Sequence, residues 1–127
     1  MARSQFFELC ITAAKDLEYL LDFIADGART AGIGHDERLD LKAAVRAILD
    51  KAMSASAQHR RDAELRACLW TEGPRFYVRL SGASIPMLTH DTPLYADLLA
   101  HVREVQSLMD DELGPTIVLR ADRADET

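Results

Sequence analysis

The chain is poor in the residues that would place it outside the ordinary globular class. It has two cysteines in 127 residues, Cys10 and Cys68. That is too few for the disulfide framework of small secreted domains, and both read as buried small hydrophobes in a reducing cytoplasm. Basic residues are outnumbered, 15 against 21 acidic, for a formal charge of −6. Nucleic-acid binding needs a surplus of Lys and Arg to neutralise phosphates, so that class is set aside. No run approaches the ~18 apolar residues of a membrane helix, and the N-terminus lacks a basic-then-apolar secretion signal. There is no internal repeat and no low-complexity segment. What the chain does have is apolar residues, 48% of the total. That fraction excludes wholesale disorder. At this length it supports a core burying roughly two-thirds of the surface an unfolded chain exposes. The expectation is one acidic, soluble, cytoplasmic domain over residues 1–120, followed by a charged, frayed tail over 121–127.

The apolar residues change period along the chain. Gln5 to Ile11 alternates loosely and is rich in aromatic and branched residues, which predicts a first strand. From Asp16 to Thr30, Leu17, Leu20, Leu21, Ile24 and Ala28 recur at helical spacing. The glycines of Ala31-Gly32-Ile33-Gly34 suit a left-handed cap. A second helix is expected from about Arg38 to Ser56 with Asp36 as N-cap. Its core face would hold Leu41, Ala44, Val45, Ile48, Leu49, Ala52 and Met53. Glu64 to Trp70 and Arg75 to Leu80 read as a hairpin around Thr71-Glu72-Gly73-Pro74. Ser81 to Pro93 reads as a loop. Tyr95 to Met109 reads as a helix through Leu98, Leu99, Val102, Val105 and Leu108. Asp110 to Pro115 turns the chain, and Thr116 to Arg120 makes a last strand. The order β-α-α-β-β-(loop)-α-β predicts an α+β two-layer sandwich, a mostly antiparallel sheet covered on one face by helices.

Chemical motifs are scarce. The histidines His35, His59, His90 and His101 are scattered and neither cysteine forms a C-x-x-C, so no metal site is expected. His90-Asp91 is read as a solvated turn ahead of a catalytic pair. No nucleophile elbow and no glycine-rich phosphate loop is present. The basic run His59-Arg60-Arg61, with Arg66 after it, reads as a solvated connection, with a partner patch as the alternative.

Three segments taken together resemble a known family. They are Phe7-Glu8-Leu9-Cys10-Ile11 followed by Leu17 to Gly32, the helix Asp40 to Ala52, and the closing Gly114-Pro115-Thr116-Ile117-Val118-Leu119. In order and spacing these resemble the bacterial anti-sigma-factor serine kinases of the GHKL superfamily, whose histidine-kinase-like ATPase fold is shared with gyrase. The similarity covers nearly the whole chain and implies a GHKL/Bergerat-like sandwich. The family's chemistry is missing. Its second helix carries E-x-x-x-N, a Glu base and a Mg²⁺-binding Asn on one face. Here those positions are Ala47 and Lys51, and a one-residue slip gives Arg46 and Asp50, again without the base. Its D-x-G-x-G, whose Asp reads adenine, is replaced after the strand by Ser81-Gly82-Ala83-Ser84-Ile85. Its G-x-G-L becomes Tyr95-Ala96-Asp97-Leu98, where Asp97 repels phosphate.

The resemblance therefore implies a pseudokinase: a non-catalytic regulatory module of signal transduction and transcription regulation, with no catalytic residue and no cofactor. The partner it implies is a sigma factor or a STAS-domain antagonist, met as a homodimer or heteromer. Two roles stand for the loop residues Ile85, Pro86, Met87 and Leu88, namely a contact surface or a plug in the vacated nucleotide pocket. Contacts with a partner are placed at Ile85, Met87, Leu88, Arg60 and Arg61. The competing expectation is an active ATP- and Mg-dependent serine/threonine kinase in which Lys51 serves as counter-charge. A small-ligand sensor using the old pocket is a third.

Overall fold

The computed structural model describes residues 6–11, 17–59 and 65–123, with side chains over 18–54 and 65–123. Helical spacing over 17–59 produces two antiparallel-packed helices. α1 (Leu17–Thr30) buries Leu20, Leu21, Ile24 and Ala28. It ends as the glycines predict: Gly32 takes a φ of +88°, and the Ile33 amide donates to the Ala28 carbonyl at 3.0 Å. This closure satisfies carbonyls that a helix end leaves unpaired. α2 (His35–His59) buries Leu41, Ala44, Val45, Ile48, Leu49 and Ala52, with Met53 half-buried. It starts three residues before the expected Arg38. Asp36 therefore lies in the first turn beside Glu37, where a carboxylate favours the positive helix end, and is not the N-cap.

The strands are β1 (Phe6–Ile11), β2 (Leu65–Glu72), β3 (Arg75–Ser81), β4 (Glu104–Asp110) and β5 (Gly114–Asp122). They form one five-stranded sheet in the order β1-β2-β3-β5-β4, antiparallel throughout. The Glu72–Arg75 pairing tightens the first hairpin turn to Gly73-Pro74. Alternation then sorts the side chains. Ala67, Leu69, Val78, Leu80, Ile117 and Leu119 face the helices and join their core. Trp70 and Tyr77 stack on the other face with ring centres 5.1 Å apart. The result is the expected α+β two-layer sandwich.

The third expected helix fails. Tyr95 to Met109 is not one helix: a short helix, α3 (Pro93–Leu99), is followed by β4. Leu98, Val102 and Val105 are buried as expected, but Leu99 and Leu108 are exposed. Their spacing suits a helix, yet β4 gains a full ladder with β5, closed by a three-residue turn. Asp110 Oδ1 accepts the amides of Glu112 at 2.8 Å and Leu113 at 2.9 Å in that turn. Loop Ser81 to Pro93 shrinks accordingly, since Ser81 ends β3 and Pro93 begins α3. β5 also takes in Ala121, which is buried, and Asp122 from the expected tail; residues 124–127 lie outside the described residues.

Candidate functional site

α2, the end of β3, the 82–92 loop and α3 carry the positions that the kinase resemblance matches to the family's nucleotide and catalytic motifs. Ala47 is half-buried on α2 and packs against the core, while Lys51, one turn on, is exposed. A methyl at the first position can neither take up a proton nor orient water. In the slipped register, Arg46 is held by Glu18 of α1, its Nη2 lying 2.9 Å from each carboxylate oxygen, and Asp50 is exposed.

Ser81 is buried, and its Oγ accepts from Thr116 Oγ1 at 3.1 Å, so its hydroxyl belongs to the sheet. The Gly82 amide donates to the Pro115 carbonyl at 3.2 Å, and the Ile85 amide returns to the Gly82 carbonyl at 3.1 Å. Further on, the Leu88 amide donates to Ser107 Oγ of β4 at 2.9 Å. The Thr89 amide donates to Thr92 Oγ1 at 3.0 Å. A loop with few repeating features in sequence is thus tied down at several points.

Its apolar residues divide. Ile85 at 3% exposure and Leu88 at 8% belong to the core, together with Leu94 and Leu98 of α3, whereas Met87 is 49% exposed. Ile85 and Leu88 therefore offer almost no surface, unlike the contact role expected of them, while Met87 stands exposed. Arg60 and Arg61 lie outside the described residues. Tyr95 is half-buried against the core and meets the His90 ring edge-on at 5.0 Å. His90 is thus placed against an aromatic side chain. Asp97 is exposed on α3. Cys68 is buried as expected.

Sequence reasoning missed a second place. His101 Nδ1 lies 3.1 Å from Asp40 Oδ1, joining the turn after α3 to α2 across 61 positions. The pair borders a polar cleft of about 340 Å³ that Glu37, Arg103 and Asp122 also line. Asp40 is placed to orient the imidazole, and among the described residues no hydroxyl or thiol side chain lines the cleft. Helical spacing had put His101 inside a helix, and nothing local marks its partner.

Among the described residues, no three of His, Cys, Asp or Glu gather to hold a metal ion, and no helix is long and apolar enough to cross a membrane. No protein-family model and no curated protein matches the chain.

Proposed function

We propose that the chain is a non-catalytic regulatory binding module, a relative of the anti-sigma-factor kinases in which the ATP site has been lost. It acts in the cytoplasm by protein–protein contact, in a bacterial signalling or partner-switching system. The resemblance points to a sigma factor or a STAS-domain antagonist as its partner.

The observation that carries this reading is the burial of Ile85 and Leu88 in the same core that Ala47 touches. In the family, the corresponding loop covers the nucleotide. Burying one large aliphatic side chain contributes about 1.5–3 kcal/mol, so displacing both to admit a nucleotide costs roughly 3–6 kcal/mol. A nucleotide bound at ~0.1 mM has only about −5.5 kcal/mol to offset that cost. The hydrogen bonds to charged groups that an adenine-reading Asp and a metal-binding Asn would add, roughly 1.5–3 kcal/mol each, are missing from the matching positions.

Titration with Mg-ATP by calorimetry tests the reading. Binding weaker than about 1 mM is expected, and binding tighter than about 0.1 mM overturns it in favour of an active serine/threonine kinase. Affinity capture from native lysate tests the partner. A sigma factor or STAS protein supports the assignment, and its absence from the eluate counts against it.

A further inference from the structure

Among the described residues β4 is an edge strand, bonded only to β5. Along its other side runs a cavity of about 580 Å³, lined by four consecutive strand residues, 105–108, and across from them by Leu88, His90 and Tyr95. Successive side chains of a strand point to opposite faces. Four in a row can share one wall only if the cavity runs along the backbone edge itself.

Pro115 settles which backbone groups face it. It pairs with Met109, has no N–H to give, and turns its carbonyl away from β4 to accept the Gly82 amide. The Met109–Pro115 pair is therefore one of the unbonded pairs of the ladder, and the Met109 amide and carbonyl point outward. By the two-residue alternation so do those of Ser107 and Val105. Proteins usually guard such edges with Lys, Pro or a bulge. Val105 to Met109 contains neither Lys nor Pro, and Leu108 and Met109 are 38% and 58% exposed. Met87, exposed, precedes Leu88, whose amide donates to Ser107 Oγ.

From this geometry we infer that β4 is a docking edge for an extended peptide of a partner protein, which adds as a sixth strand, places one apolar side chain between Tyr95 and β4, and carries basic residues at its ends. The inference rests on the protein-binding reading above and names the chemistry of the partner segment. Charge selects this occupant over a second copy of the chain. Asp110, Asp111 and Glu112 gather at one end of the edge with no Lys or Arg from 104 to 113, and at the other end Glu104 is met by Arg120 of β5 at 3.0 Å. Two copies of β4 paired antiparallel about Ser107 would set Glu104 opposite Asp110 at both ends, a like-charge arrangement that destabilises strand pairing.

The test uses the full chain, labelled with ¹⁵N, and the probe peptide Arg-Val-Thr-Ile-Thr-Val-Arg. At about ten times its dissociation constant, the amides of Val105, Ser107 and Met109 are expected to exchange about tenfold more slowly. The counterpart with Glu at both ends should bind about fivefold more weakly. Met109→Pro removes an outward N–H without breaking a bond to β5, and should abolish binding while leaving the melting temperature within a few degrees. No change along β4 with peptide at about 1 mM, equal binding of the two peptides, or protection confined to another surface overturns the inference. So does a concentration-dependent dimer that Met109→Pro dissolves. Binding of Mg-ATP with the β4 protection intact overturns only the non-catalytic reading. Loss of the β4 response without nucleotide binding overturns only the docking edge.

Discussion

Gly27 of α1 stands directly over Leu69 of β2, so close that a Cβ added to the glycine would lie 2.6 Å from Leu69 Cδ1. Leu69 is fully buried. Gly27→Val is expected to destabilise the fold by about 1–3 kcal/mol, as overpacking does. Leu69→Ala alone should cost about 2–5 kcal/mol. The double variant should lose clearly less than the sum, because each change makes room for the other. Urea denaturation of the four proteins measures the coupling.

Ile85 and Leu88 should behave as core. Ile85→Ala is expected to cost about 2–5 kcal/mol and Leu88→Ala somewhat less, since Leu88 keeps slight contact with solvent. Met87→Ala, one position before Leu88, should stay within about 0.5 kcal/mol of the parent. Thermal or urea denaturation reads the difference. Equal, small effects at all three positions would show the loop to be a surface.

The turn after β4 is sensitive to acid. The backbone amides of Leu113 and then Glu112 donate to Asp110 and hold its carboxyl below the ordinary 3.8. The folded value is lower than the unfolded one, so the stabilisation is fully present above about pH 4. It fades as the pH falls through the depressed folded value. An NMR pH titration should find the Glu112 and Leu113 amide shifts moving together with a midpoint below 3.8. In Asp110→Ala the transition disappears and these amides exchange faster.

Arg46 and Glu18 tie α2 to α1 through two contacts of 2.9 Å, with both side chains largely in water. A double-mutant cycle should return about 0.5 kcal/mol. Most of it should vanish in 1 M salt, where the screening length falls to about 3 Å. Activity need not be assayed, since stability alone reports the pair.

α1 and α2 were legible because each needs only its own sequence. The face Leu41 to Ala52 and the closing glycine at position 32 are local signals. The first hairpin was legible for the same reason. β4 was not, because Leu98, Val102 and Val105 fit helical spacing, and the partner that makes 104–110 a strand is β5. The positions on α2 that the kinase resemblance points to, Ala47 and Lys51, could be named from sequence, and so could their lack of a carboxylate base. The fate of the loop could not. Whether Ile85 and Leu88 fill a pocket or face outward is decided by what α2 and α3 leave vacant. The Asp40–His101 pair escaped for a related reason, since it exists only once the turn after α3 has been carried over to α2.

The strand order carries a consequence for how the molecule assembles. β5 is made after β4, yet it lies between β4 and β3. Until β5 has formed, β4 has no sheet to join and β3 remains an open margin. The final hairpin therefore joins the sheet through β3–β5 pairs running from Ser81–Thr116 to Arg75–Asp122, long-range contacts of the kind that slow folding. Any change that weakens β5 detaches two strands at once, and the Ser107 anchor of the 82–92 loop leaves with them.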